Sequence, residues 1–248
     1  QAARVMTVER VGVRVLDESR RTLVNTETFL LSREGHEGGE TLDGEAFRKE
    51  WEVLESDRYF SVPDAMRDPR TEGYRAYLTE HGIVSMLDAA VRSGAELQGT
   101  VCFEFSGCQR EWTEGEIGFA CQVADLVALC LANRREQEER ARQVLLTRAI
   151  EQTEEAVLIT DTQARLVYVN AAFERMTGYR REEVLGKMPA VLKSGHHSAA
   201  FYREMWEILR AGESWSGRMV NRRKDGELFT ELETIAPVRG EGGETTHY

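Results

Sequence analysis

The sequence predicts an α+β protein of two domains, each an antiparallel sheet with helices, joined by one long helix. Three observations predict it. Apolar residues recur with period two in both halves, as in Val11, Val13 and Val15, then Val101, Phe103 and Phe105, then Leu166 to Val169. Turn signals separate most of these runs, which gives hairpins, with the helices placed outside the strand pairs. Residues 113–152 read as a single helix: Thr113 with Glu116 three residues later is a capping-box pattern, and Phe119, Val123, Leu126, Val127 and Cys130 follow at helical spacing. At about 1.5 Å per residue such a helix spans about 57 Å, too long for one small domain. The 248 residues suffice for two ordinary domains.

Composition narrows the function. The net charge is -11, which argues against nucleic-acid and anionic-membrane partners and fits a cytoplasmic protein. No unbroken apolar run approaches the roughly 18 residues of a membrane span, so no direct membrane contact is expected. The four cysteines, Cys102, Cys108, Cys121 and Cys130, all lie in the first half without a CxxC pair, and read as buried or incidental thiols. The adjacent His196 and His197 lack converging ligands for a metal. No G-x-S-x-G, HExxH or P-loop run is present, so no catalytic residue and no metal site is assigned.

In the first half, residues 1–6 read as the last turns of a helix. A hairpin follows, with strands around Val11 to Val15 and Thr22 to Thr26 and a turn at 17–20. Residues 30–41, rich in Gly and Glu, read as a loop. Phe47 to Leu54 has helical periodicity, Tyr59 to Pro63 is a short strand, and Tyr74 to His81 is a short helix. Two strands, 82–90 and 99–105, are joined by a tight turn at 92–95, and the long helix follows. The expectation is an antiparallel sheet with helices against one face.

The runs YFSVPDAMRDPR, HGIVSMLDAAVRSGAELQGTVCFEF and REWTEGEIGFACQVADLVALCLA resemble a GAF domain, covering about residues 3–133. The resemblance implies that residues 1–133 are a GAF-like domain with a truncated first helix. Such domains bind cyclic nucleotides, bilins, haem or small metabolites, or serve in packing and dimerisation. A bilin site uses an anchoring cysteine and a nearby histidine; here Cys102 sits inside a strand pattern and His81 precedes it. The aromatics Trp51, Tyr59, Phe60 and Tyr74 either line a pocket or are ordinary core residues.

After the charged stretch 134–147, the connecting helix, the second half begins. Ala156 to Asp161 and Leu166 to Asn170 are strands, and Ala171 to Met176 is a short helix ended by Gly178. Residues 198–211 form the one substantial helix of this half. Trp215 to Arg222 and Leu228 to Val238 are strands around a Lys224-Asp225-Gly226 turn. A last strand is reached near Tyr248. The runs AVLITDTQARLVYVNAAFERMTGYRREEVLGK and LKSGHHSAAFYREMWEILRAGESWSGRMVNRRKDGELFTELETIAPV are identified as those of a PAS domain, covering residues 148–248 with the last strand truncated.

The LKSG, WSG and NRRKDG runs resemble the PAS branch of the nitrogen-fixation redox regulator and the methane-oxidation sensor kinases. That resemblance implies FAD in the cavity between helices and sheet. An isoalloxazine needs an apolar wall and amides along one edge. Trp215, Asn221, Glu231 and Phe173 supply such groups, with Trp215, Gly217, Met219 and Asn221 on one strand parity. Asn170 either bonds the ring or caps the helix starting at Ala171. Trp215 and Asn221 read equally as a core aromatic and a turn residue. Blue-light relatives form a flavin adduct on a cysteine, and no cysteine lies beyond Cys130, so that chemistry is excluded. Haem would need an axial histidine, and His196 and His197 precede a helix where haem-binding relatives do not take one.

The sequence thus predicts the sensory region of a bacterial signalling protein, whose PAS domain senses redox or a small ligand, in a homodimer whose output domain, a histidine kinase or a diguanylate cyclase, lies C-terminal. The alternative is a GAF-PAS dimerisation and relay module with nothing in its PAS cavity. The positions Val127, Arg134, Ala141 and Arg148 are seven apart, and two of them are arginine, so the middle of the long helix makes at most a weak coiled coil.

Overall fold

The computed structural model describes residues 1–17, 19 and 22–248. The chain divides into two compact units, residues 1–138 and 139–248. The turn expected at 17–20 lies partly outside the described residues.

The first unit runs α1 (Ala2–Met6), β1 (Arg10–Leu16), β2 (Thr22–Leu30), β3 (Gly35–Glu37), β4 (Thr41–Asp43), α2 (Arg48–Ser56), β5 (Tyr59–Val62), a 3-10 turn (Pro69–Tyr74), α3 (Arg75–Glu80), β6 (Ser85–Ser93), β7 (Glu96–Phe105) and α4 (Glu114–Gln152). Its seven strands form one antiparallel sheet in the order β3-β2-β1-β7-β6-β5, with β4 also on β2. The segment 30–41, expected as a loop, contributes β3 and β4. These strands are short and at an edge, held by backbone pairing such as Thr28 with Glu37, which composition does not reveal.

Helices cover both faces of this sheet, not one as the sequence suggested. On one face Ala3 and Met6 of α1 and Ala120, Cys121 and Ala124 of α4 pack on Leu87, Val101 and Phe103. On the other, Trp51 and Leu54 of α2, Tyr74, and Leu78 of α3 pack with Leu23, Phe60 and Met86. Trp51, Phe60 and Tyr74 are therefore core residues, whereas Tyr59 is exposed. The second covered face explains β1. Val11 and Val13 face α1 and α4, and the intervening Arg10, Gly12 and Arg14 are buried under α2 and α3. The arginines are held there by Glu104 of β7. Arg10 Nε donates to Glu104 Oε2 at 2.9 Å, Arg14 Nη2 donates to Glu104 Oε1, and Arg14 Nη2 also reaches Tyr77 Oη at 2.8 Å. Burying two guanidinium groups is tolerable only with such pairing.

Helix α4 opens with the capping box that the sequence predicts: Glu116 N–H donates to Thr113 Oγ1 at 3.3 Å and Thr113 N–H donates to Glu116 Oε2 at 2.8 Å. Among the described residues, α4 is long and apolar enough by length and composition to cross a membrane. No unbroken apolar run reaches that length; the average passes because it runs across the isolated Gln122 and Asp125. One side of this stretch packs on the sheet, Asp125 pairs with Arg58 at 2.6 Å, and Leu126 and Leu129 on the other side are exposed.

The second unit runs from the end of α4 through β8 (Leu158–Thr160), β9 (Leu166–Val169), α5 (Ala171–Thr177), α6 (Arg181–Val184), a 3-10 turn (Pro189–Leu192), α7 (Ala199–Arg210), β10 (Trp215–Arg222), β11 (Leu228–Ile235), β12 (Val238–Arg239) and β13 (Thr245–His247). β8 pairs with β9, β10 with β11, and β12 with β13, all antiparallel. β13 continues onto β8, where Thr160 and Tyr248 exchange both backbone hydrogen bonds at 2.8 and 3.0 Å. The expected long strand 228–238 is interrupted at Pro237, which has no N–H for the ladder. The β10–β11 turn places Gly226 at φ 94°, as the Lys-Asp-Gly signal requires.

Candidate functional site

The interior of the second unit is split. One apolar cluster gathers Leu166, Val169, Phe173, Val184 and Leu192. Another gathers Met205, Leu209, Trp215 and Met219, flanked by Phe201, Tyr202 and Trp206. The inner face of the β10–β11 hairpin carries the polar groups.

Strand parity sets that face. Trp215, Met219 and Asn221 are buried and the residues between them are more exposed, so this parity points inward. Directly paired residues of an antiparallel ladder share a face. The register pairs Trp215 with Ile235, Gly217 with Glu233, Met219 with Glu231 and Asn221 with Phe229. Glu231 and Glu233 thus turn inward, and Leu232 between them is 80% exposed. This inverts the usual apolar-in, polar-out pattern of a half-buried strand.

Asn221 and Glu231 meet: Asn221 Nδ2 donates to Glu231 Oε1 at 2.7 Å. Glu233 has the more perturbed carboxyl, which burial, with the Glu231 charge beside it, pushes up to about 7. Near neutrality this carboxyl holds a proton part of the time and can donate a hydrogen bond or release the proton. Trp215 stands edge-on to Phe201 of α7, with ring centroids 5.7 Å apart. Phe201 stacks on His197 at 4.2 Å, and His197 Nε2 accepts from Val220 N–H at 2.8 Å. His197 is thereby a strut between the start of α7 and β10. Among the described residues no group of three or more His, Cys, Asp or Glu is placed to hold a metal.

The other two predicted site residues stand elsewhere. Asn170 Oδ1 accepts from Val157 N–H at 2.9 Å and Phe173 N–H at 3.0 Å, while Nδ2 donates to Ile150 and Glu155 carbonyls at 3.0 and 2.9 Å. Its side chain caps α5 and ties it to the end of α4, with no donor or acceptor left over. Phe173 is fully buried in the first cluster. The geometry therefore brings Trp215, Asn221 and Glu231 onto one wall and places Asn170 and Phe173 in the supporting structure. Glu233 and the His197 strut were missed. The signal for Glu233 was present, since it shares parity with Glu231.

Near Asn170, Glu151 in the last turn of α4 collects three donors. Tyr168 Oη lies at 2.9 Å, Ala171 N–H at 3.0 Å and Arg181 Nη2 at 2.5 Å. These hydrogen bonds outweigh the partial desolvation of Glu151 and lower its pKa. The C-terminal end of α4 is in this way fastened to β9, α5 and α6 by ionic and backbone contacts.

Two sheet units, a continuous helix running from one into the other and an acid-lined wall between apolar clusters define a sensory regulator of the GAF-PAS class. The chain matches the GAF domain family over residues 1–131 and the PAS fold over residues 145–248, and it belongs to the GAF family, with a PAS domain following. It is 37% identical over 99 residues to a nitrogen fixation regulatory protein of Klebsiella oxytoca, covering 40% of this chain and 20% of that protein. It is 31% identical over 83 residues to the aerotaxis receptor of Escherichia coli (strain K12), covering 34% of this chain and 16% of the receptor. Among solved structures, an RNA-binding light-oxygen-voltage receptor aligns with 33% identity and a TM-score of 0.41, over 43% of this chain and 30% of that one. The chain spans about a fifth of the length of these curated relatives, or less.

Proposed function

We propose that this chain is the sensory part of a bacterial signalling protein, that its PAS domain holds a flavin, FAD, and that it reports redox state to an output domain. The observation that carries this reading is the inward wall of Asn221, Glu231 and Glu233 beside Trp215. The residue types fit the group: Trp215 and Met219 offer an apolar surface, and Asn221 and the two carboxyls offer donors and acceptors for a heterocycle edge. A bound flavin supplies reversible electron transfer. Asn221 and Glu231 orient the ring edge, Trp215 and Phe201 exclude water, and Glu233 holds or yields a proton at its carboxyl. The resemblance to nitrogen fixation regulatory proteins and an aerotaxis receptor supports a redox input.

A change on this wall shifts the β10–β11 hairpin. Lys193, bridged to Asn221, and the His197 strut link the hairpin to the segment before α7 and to α7 itself. The protein acts as a cytoplasmic homodimer, supported by the exposed Leu126 and Leu129 on the part of α4 that packs in the GAF domain. The output domain, a histidine kinase or diguanylate cyclase, follows the PAS domain. The test is the visible absorption of the purified protein after incubation with FAD. A flavin spectrum in the wild type that is lost in Asn221→Ala supports the reading. A wild type that takes up no flavin leaves the relay module, with nothing in its cavity, as the function.

A further inference from the structure

Strand β10 carries a ladder on one side only. It pairs with β11, and among the described residues no second strand pairs with its other edge. An open edge is normally covered, and here the segment 193–197 before α7 covers it. Ser194 Oγ donates to the Val220 carbonyl, and His197 Nε2 accepts from Val220 N–H at 2.8 Å. Arg222 Nη2 donates to the Ser194 carbonyl at 2.9 Å, and Lys193 is bridged to Asn221. Both backbone groups of Val220 thus point away from β11, and by the alternation of a strand those of Met219 and Asn221 point toward it. A hydroxyl and an imidazole take the place of a neighbouring strand.

The two side-chain bonds differ in kind. A serine hydroxyl donates whatever the pH. An imidazole nitrogen accepts only while it carries no proton, because the imidazolium has two donors and no acceptor. Proton uptake at Nε2 sets N–H against N–H at Val220. His197 is half-buried, so solvent protons reach it without unfolding. Its stack on Phe201 survives as a cation over a ring, so the loss is confined to the Val220 bond. The charged and titratable groups that face it come from four elements. Its own segment brings His196, with ring centroids 5.3 Å apart, and Lys193, whose Nζ lies 4.1 Å over the Tyr202 ring. From α7 comes Tyr202, 6.2 Å away, whose phenol is raised by burial and by the Glu233 charge. From β10 comes Arg222, and from β11 comes Glu233. Among the described residues none of these is hydrogen-bonded to the His197 ring.

We propose that His197 is a pH-sensitive latch on the edge of β10: its neutral ring closes the edge at Val220, and proton uptake opens it. Histidines change charge between about pH 5 and 8. Only the neutral ring makes the bond, so the latch contributes in the alkaline part of that range and its contribution is lost on acidification. The sign is opposite to that of Glu233, whose raised carboxyl stabilises on the acid side. Asn221 follows Val220, so opening the latch loosens the strand beside the Asn221–Glu231 contact. The latch needs no bound flavin.

The test follows amide exchange at Val220 in the whole chain between pH 8 and pH 5, as protection factors, which remove the intrinsic pH dependence of exchange. In the wild type Val220 protection is expected to fall about tenfold on acidification. The midpoint is expected to match proton uptake by the His197 ring, followed by NMR in the same sample, while Met219, turned toward β11, changes less than about twofold. His197→Gln carries an acceptor that does not titrate and is expected to hold Val220 protection constant. Glu233→Gln is expected to leave the wild-type fall in place. The match of midpoints requires no variant, so the result does not depend on one that folds. A wild-type fall below about threefold, a midpoint that differs from that of the ring, or a fall kept in His197→Gln and lost in Glu233→Gln overturns the proposal.

Discussion

Glu104 of the GAF sheet and Glu233 of the PAS sheet both turn inward, and their neighbours manage them in opposite ways. In the GAF sheet Glu104 is 2% exposed and meets two arginines, one of them also held by Tyr77. In the PAS sheet Glu231, among the described residues, meets only a neutral amide from Asn221, and Glu233 is raised by burial with a second carboxylate beside it. A buried acid paired with two cations on neighbouring strands is a fixed structural tie. A buried acid beside another acid is balanced between two protonation states. The first arrangement holds a fold, and the second suits a site that must respond.

The sharpest way to break this contrast is to remove the lock. Glu104→Gln leaves Arg10 and Arg14 buried without their shared anion. A loss of about 3 kcal/mol or more is expected in the stability of the first unit, read as lowered hydrogen-exchange protection across β1, β6 and β7. A loss below about 1 kcal/mol would mean that Glu50 and Asp88 take over the arginines, and the two sheets would then differ less than their geometry suggests.

The second unit has its own fixed point, at Asn170. Asn170→Ala deletes two donated and two accepted hydrogen bonds at once and strips the cap from α5. The expected cost is about 2–3 kcal/mol, localised by hydrogen exchange to Val157 and the first turn of α5. An effect confined to ligand binding, with protection unchanged, would return Asn170 to the wall of the site.

Much of this organisation was legible in the sequence. The capping box at Thr113 and Glu116, the hairpin turn at Gly226 and the αL glycine at 178 are local signals, and each is read by its immediate neighbours. Asn221 and Glu231 were legible as chemistry, because an amide and an acid on facing strands are unusual in a sheet interior. What sequence could not supply was the covering of both faces of the GAF sheet. Arg10 and Arg14 alternate with valines, and periodicity assigns valines to the core and arginines to solvent. Only the distant Glu104, ninety or more residues along the chain, reverses that assignment. Likewise Leu232 looks like the buried partner and Glu233 like the exposed one until the register with Trp215 and Gly217 is known.

The responsive side of the contrast is sharpened by pH. The folded protein holds the Glu233 proton more tightly than the unfolded chain, with the pKa raised from 4.5 to about 7. Over that range the native state binds more protons, so stability falls as pH rises from 4.5 through about 7 and then levels. The contribution is about 3 kcal/mol between the two ends. Glu233→Gln should remove this slope from the unfolding of the second unit and leave it at least as stable at pH 8 as in mild acid. A slope that survives in the variant would place the titrating group elsewhere, and the acid pair would lose its claim to be the balanced one.

The smallest expected effect concerns α4, which is fastened differently at its two ends. At its start Thr113 and Glu116 satisfy each other within one turn, and Arg110 of the preceding loop also pairs with Glu116. At its other end Glu151 depends on donors from β9, α5 and α6. Thr113→Ala is therefore expected to cost about 1 kcal/mol, as fraying of the first turn and nothing more. Glu151→Gln should instead raise exchange in β9 and α5 together with the last turn of α4. Fraying at one end and a coordinated release at the other would show that the PAS domain grips the helix through a charge that can be withdrawn, while the capping box at its start is only a local contact. Equal, local effects at both ends would make α4 a passive connector.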